Sequence, residues 1–302
     1  MSETVFSLKL MLKKIMHKFA QVTFEVMYDR IIEDIENSRA KETQLILYHT
    51  YRSLLNREIT NLPTLNEVGF RCHSQFEEDG ILLYLFAILG TTNRKCVEIC
   101  AGNGKECNTA NLILNHGWWG YLFDGNEANV STGKKFFQQS RDTWLHPPQF
   151  CHAWINAENI NDVILGSGVE GDVDLLSLDI DGMDYWVWKA IDCIKPRIVV
   201  CEVQNVIDPN HALTIPYDPN FKISIPDYHS ASLAAMTKLA NQKGYRLVGT
   251  NKYGFNAFYV LNGLGEAYIP TIDPTQCQQD PYSLKARAER WPKVKDQNWM
   301  EV

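Results

Sequence analysis

At 302 residues, with 45% hydrophobic and 22% charged residues, the chain has ordinary globular composition and enough length to bury a sizeable core. Its net charge of -7 excludes broad nucleic-acid binding, because phosphate contacts need a basic surface. No apolar run reaches the roughly 18 residues a membrane span needs, and the eight cysteines show no CxxC pair or zinc spacing, so they read as reduced thiols in a cytoplasmic protein.

From Val5 to about Arg57 the chain lacks proline and repeats an apolar periodicity, which predicts two or three helices. Within it, FSLKLMLKKIMHKFA (6–20) alternates Lys9, Lys13, Lys14 and Lys18 with Phe6, Leu8, Leu12, Ile15 and Phe19. Such a helix docks on its own domain or on a second copy of the chain, giving a homo-oligomer; peripheral membrane contact is the less favoured reading. After the loop NLPTLNEVG, a helix begins at Glu77, Glu78 and Asp79 and buries Ile81 to Leu89.

The stretch KCVEICAGNGKECNTANLILNHGWWGYLFDGN (95–126) reads as strand, glycine turn, helix and second strand, with Asp124 at the tip of that strand. A nucleotide-binding fold places a carboxylate about 20 residues beyond the glycines, where it meets a ribose. The unit therefore predicts an adenosine-containing ligand. NAD fits poorly, because the third glycine of GxGxxG is replaced by Cys107. The acidic-x-Gly-x-Gly-x-Gly pattern of class I S-adenosylmethionine-dependent methyltransferases fits Glu98, Gly102 and Gly104, with Cys100 in the first glycine's place.

Further along, helix 129–140, strand 150–155, helix 159–165, strand 173–180, a helix over 185–194 and strand 197–203 follow in order. Five strands alternating with helices predict a parallel sheet covered on both faces. A long proline-containing connection, Gln204 to Ser230, leaves the sheet's carboxyl edge. Helix 232–243 leads to strands 245–250 and 256–261, whose short turn requires an antiparallel hairpin. Class I methyltransferases end in that way. The expected fold is thus α/β: a Rossmann-like, mostly parallel seven-stranded sheet of the class I methyltransferase type, with a terminal antiparallel hairpin and N-terminal helices. The organisation is 1–65 helical, 66–265 ligand-binding and 266–302 a docked extension with a helix over 283–290.

Ligands of doubly wound sheets lie beyond the strands' carboxyl ends. Gln75, Glu98, Gly102, Gly104, Asn108, Asp124, Gly125, Asn156, Ala157, Glu158 and Asp179 are the expected cofactor-binding positions, with Asn156 to Glu158 bordering adenine. In LLSLDIDGMDYWVW (175–188), Asp179, Asp181 and Asp184 crowd one strand end beside Glu202. Such carboxylates repel unless a cation is shared, and hard oxygens suit magnesium, with Asp179, Asp181 and Glu202 as ligands. In the competing reading Asp184 caps a helix, Asp181 forms a turn and no metal binds.

The segments 74–82, 97–113, 117–126, 175–188 and 199–205, with GYRLVG and NAFYVLN, resemble FkbM-type S-adenosylmethionine-dependent methyltransferases over residues 70 to 262. The resemblance implies methyl transfer to a hydroxyl of a sugar, polysaccharide or secondary metabolite, in some relatives with magnesium held after the fourth and fifth strands, where Asp179 and Glu202 stand. His229 is the first candidate base, then Asp181 and Asp184. Tyr185, Trp186, Asn205, Tyr217 and Asp218 are expected to line the pocket of a small-molecule or glycan acceptor. The rival is a catalytically silent scaffold that binds a protein partner through its amino-terminal helices.

Overall fold

A computed structural model describes Lys18, residues 41–55 and residues 62–302. The chain falls into two compact units, Met1–Leu47 and Tyr48–Val302. Of the first, Lys18 and residues 41–47 are described and are helical. The rest of the basic amphipathic stretch and most of the predicted N-terminal helices lie outside the described residues.

In the second unit a short helix α1 (Leu65–Val68) precedes α2 (Glu78–Leu89). Then come β1 (Lys95–Ile99), α3 (Ala110–His116), β2 (Trp119–Asp124), α4 (Glu127–Gln139) and β3 (Gln149–His152). They are followed by α5 (Ile160–Gly166), β4 (Gly171–Leu178), α6 (Asp184–Ala190) and β5 (Ile194–Glu202). The remainder holds β6 (Leu213–Thr214), α7 (Leu233–Gln242), β7 (Tyr245–Thr250), β8 (Asn256–Leu261), α8 (Pro281–Val294) and β9 (Met300–Glu301).

The main sheet has the order β3-β2-β1-β4-β5-β8-β7. Its first five strands are parallel, and β8 runs antiparallel to both β5 and β7. The order reverses between β1 and β4, so this is the class I methyltransferase fold, with its switch point beside the glycine turn. Alternation along the strands builds two cores. Val97, Ile99, Leu176, Leu178, Val199 and Cys201 face one side, against Trp188 of α6 and Met236 of α7. Cys96, Leu122, Leu175, Ile198 and Val200 face the other, against Leu82 and Leu85 of α2. Burial on both faces explains why these strands read as unbroken apolar runs, each fully buried large side chain contributing about 1.5–3 kcal/mol.

The hairpin strands occur at the expected bounds, but two other readings need correction. The helix expected over 185–194 ends at Ala190, because Ile194 already pairs with Gly171 and Pro196 lies inside β5. The tail helix is longer than 283–290, since Asp280 caps it by accepting from the Tyr282 and Ser283 amides and Pro281 suits its first position. The pairing of β6 with β9, which joins the long connection to the end of the chain, leaves no local sequence signal. Among the described residues no helix is long and apolar enough to cross a membrane.

Candidate functional site at the carboxyl edge

The turn after β1 holds three left-handed residues: Cys100 at φ 61°, Gly102 at 57° and Gly104 at 72°. A side chain at Gly104 would meet the Phe137 ring at 2.8 Å, whereas one at Gly102 would point into open space. Cys100 therefore occupies a backbone position that suits glycine, and carries strain for it. Its thiol is pushed up by burial and then by the charges of Asp124, Asp184, Asp179 and Asp181, which shows how the turn brings together residues from separate strands.

Asp124 ties this turn to β2. One oxygen accepts from the Gly102 amide at 2.9 Å, and the other from the Asn126 amide at 2.8 Å and the Asn129 side chain at 3.2 Å. A carboxylate has about four acceptor sites, so one stays available, and two if Asn129 turns away. The open space at Gly102 and this remaining capacity fit a ribose.

Several expected cofactor positions serve the protein itself. Glu98 is buried, accepting from the Asn108 amide (2.9 Å), Ser177 (3.1 Å), the Thr109 amide (2.8 Å) and the Thr109 hydroxyl. All its acceptor sites are filled, so it holds the start of α3 rather than a ligand. The Asn108 side chain points to Ser177, and the Asn156 oxygen accepts from the Glu158 and Asn159 amides as a turn. Gly125 lies against Trp154, and Gln75 is solvent-exposed. The Ala157 amide and Glu158 carboxylate face the long connection, where both bond the Tyr217 hydroxyl.

At the ends of β4 and β5 the carboxylates of Asp179, Asp184 and Glu202 lie with ligand oxygens within 4.8 Å of one another. Asp181 lies outside that group, exposed and at φ 55°, so Asp184 takes the place expected for it. Burial raises Asp184 to about 6. It also raises Asp179 and Glu202 well above the usual range, with further repulsion from Asp184 on Asp179 and from Asp179 on Glu202. None of the ion pairs among the described residues reaches these groups. Each Asp184 oxygen accepts one backbone amide, from Ile180 (2.9 Å) and Gly182 (3.1 Å), which precede the helix, so Asp184 fixes the turn after β4 and does not cap α6, whose N-cap is Met183. One buried and two partly buried acids without a basic partner fit a divalent cation.

His229 joins this cluster through Ser230, which sequence reasoning passed over. Ser230 donates to Glu202 at 2.7 Å, so its oxygen accepts from His229 Nδ1 at 3.0 Å. This leaves His229 Nε2 as the acceptor, 3.3 Å from the Gln204 amide nitrogen. Burial lowers the pKa of His229 against the pull of Asp181 and Asp227, favouring the neutral ring. Of the acceptor-pocket candidates, Tyr185 is 5% exposed and belongs to the core, and Asn205 is buried and bonded to the Tyr253 carbonyl. Trp186, Tyr217 and Asp218 stay at the edge, the first two with ring centroids 5.9 Å apart.

No protein-family model and no curated protein sequence matches the chain. Solved structures do. A magnesium protoporphyrin IX methyltransferase from Synechocystis with bound S-adenosylmethionine matches at 13% identity and TM-score 0.39, over 61% of this chain and 78% of its own. An O-methyltransferase from Bacillus cereus with S-adenosylhomocysteine matches at 12% and 0.41, over 73% and 91%. A glycopeptide N-methyltransferase with S-adenosylhomocysteine matches at 10% and 0.39, over 65% and 95%. These neighbours are S-adenosylmethionine-dependent methyltransferases of differing acceptor chemistry. At such scores they add nothing to the strand order, on which the fold assignment stands.

Proposed function

We propose that the chain is an S-adenosylmethionine-dependent O-methyltransferase of FkbM type, acting on a hydroxyl of a sugar, polysaccharide or secondary metabolite. The observation that carries this reading is Asp124, a carboxylate at the tip of β2 bonded into the glycine turn at the sheet's switch point. The cofactor, when bound, supplies an electrophilic methyl group. Asp124 would orient its ribose, the turn at Gly102 its amino-acid end and the Ala157–Glu158 segment its adenine. Asp179, Asp184 and Glu202 would hold magnesium, whose chemistry is to lower the pKa of a bound hydroxyl. His229 Nε2 takes up the acceptor's hydroxyl proton once the acceptor displaces the Gln204 amide from it, because Nδ1 is committed to Ser230 and the ring is neutral.

Two observations favour the silent-scaffold reading: a strained cysteine where the pattern wants glycine, and a tyrosine hydroxyl seated on the adenine-side segment. Calorimetric titration with S-adenosylmethionine, S-adenosylhomocysteine and NAD, each with and without magnesium, separates the readings. Micromolar binding of the two sulfur ligands, lost in Asp124→Ala, is expected. Absence of both leaves the scaffold.

A further inference from the structure

The long connection between β5 and α7 crosses the carboxyl edge as a strap, and residues 215–221 fasten it to the segments that follow β3 and β4. The Trp186 indole donates to the Ile215 carbonyl at 2.9 Å, and the Trp154 indole to the Pro219 carbonyl at 3.0 Å. The Phe221 ring packs on the backbone of Gly182, where an added Cβ would lie 2.5 Å from it. Between these anchors the Tyr217 hydroxyl accepts from the Ala157 amide at 3.1 Å and donates to the Glu158 carboxylate.

That pair of partners has a chemical meaning. Ala157 offers one donor and Glu158 one acceptor, side by side, at the end of the segment after β3. Adenine presents the complement on its Watson–Crick edge, a ring-nitrogen acceptor beside an exocyclic N–H donor, and nucleotide-binding proteins read that edge by hydrogen bonds. A phenol hydroxyl supplies both functions from one atom. The Trp154 ring packs against Gly125, next to Asp124 at the expected ribose position, while remaining 51% exposed.

We infer that Tyr217 is a gate on the nucleoside site: its hydroxyl stands where an adenine edge would bind, and an adenosine ligand enters by displacing it together with the strap. The inference rests on the adenosine-ligand reading above. It predicts an apparent affinity reduced by the fraction of molecules whose strap is closed. With the strap open, the Ala157 amide and Glu158 carboxylate are freed for the base, so adenosine is preferred over inosine, whose edge reverses the donor and acceptor.

The test is calorimetry with S-adenosylhomocysteine on the wild-type chain and on Tyr217→Phe, which keeps the ring and removes the hydroxyl. Binding about tenfold tighter in the variant is expected. Trp186→Phe, which releases the Ile215 carbonyl, should shift affinity in the same direction. In wild type the ligand should also speed hydrogen exchange at the Trp154 indole N–H, read by NMR. Equal affinities overturn the gate and leave the methyltransferase reading standing. Weaker binding in Tyr217→Phe overturns it too, by making the hydroxyl a ligand contact. No binding by either protein defeats the gate and the adenosine reading together.

Discussion

Cys100 carries the clearest residue-scale conflict in the site. A left-handed conformation costs a residue with a Cβ roughly 1–2 kcal/mol, while glycine costs about 0.5–1 kcal/mol more chain entropy on folding. Cys100→Gly is therefore expected to raise stability by about 0.5–1 kcal/mol, seen as a higher midpoint in urea unfolding with an unchanged slope. A lower midpoint would mean that the thiol's packing outweighs the strain. The glycine pattern was legible in the sequence at Gly102 and Gly104, and the substitution at Cys100 with it. What was not legible is that Glu98, the acidic residue of the same pattern, faces inward. Its partners Thr109 and Ser177 lie 11 and 79 residues away, and only the folded chain brings them together.

At the scale of elements, the tail holds the long connection in place. Helix α8 pairs Arg290 with Asp227, strand β9 pairs with β6, and Tyr228 donates to the Asn298 carbonyl at 2.9 Å. Asp227 is held below its ordinary value of 3.8, first by the Arg290 hydrogen bond. A carboxylate whose folded pKa is depressed contributes stability that is present above its unfolded value and lost as pH falls through the folded one. Arg290→Ala is expected to lower the Tm by about 2 °C at pH 7, a modest effect because the pair is partly solvated. The gap from wild type should close as the pH drops below 3.8; a gap that stays constant with pH would mean that Arg290 acts through packing alone. The tail was expected to dock. Its partner was not readable, because two-residue strands carry no periodicity and their pairing spans most of a hundred residues.

For the molecule as a whole, the parallel sheet brings three strand ends, β2, β4 and β5, to the same edge. The carboxylates there come from elements that touch only because of the strand order. Magnesium is expected to raise the Tm at pH 7.5, by an amount equivalent to about 2.7 kcal/mol at a concentration 100 times Kd. Asp184→Asn should remove that response. A wild-type Tm indifferent to magnesium, read by thermal unfolding across a concentration series, would leave the cluster as clustered acid without a cation.

The α/β alternation, the glycine turn, the hairpin and the acidic strand ends were determined by local pattern. Apolar periodicity, glycine and proline placement and strand-end polarity act within a few residues, and they survive as signals in an isolated sequence. Tertiary structure decided the rest. It placed Asp184 rather than Asp181 beside Glu202, turned Glu98 and Asn108 inward, linked His229 to the cluster through Ser230, and set Tyr217 on Ala157 and Glu158. Each of those outcomes depends on which way a side chain leaves a turn and on what lies across the edge, and no local pattern records either.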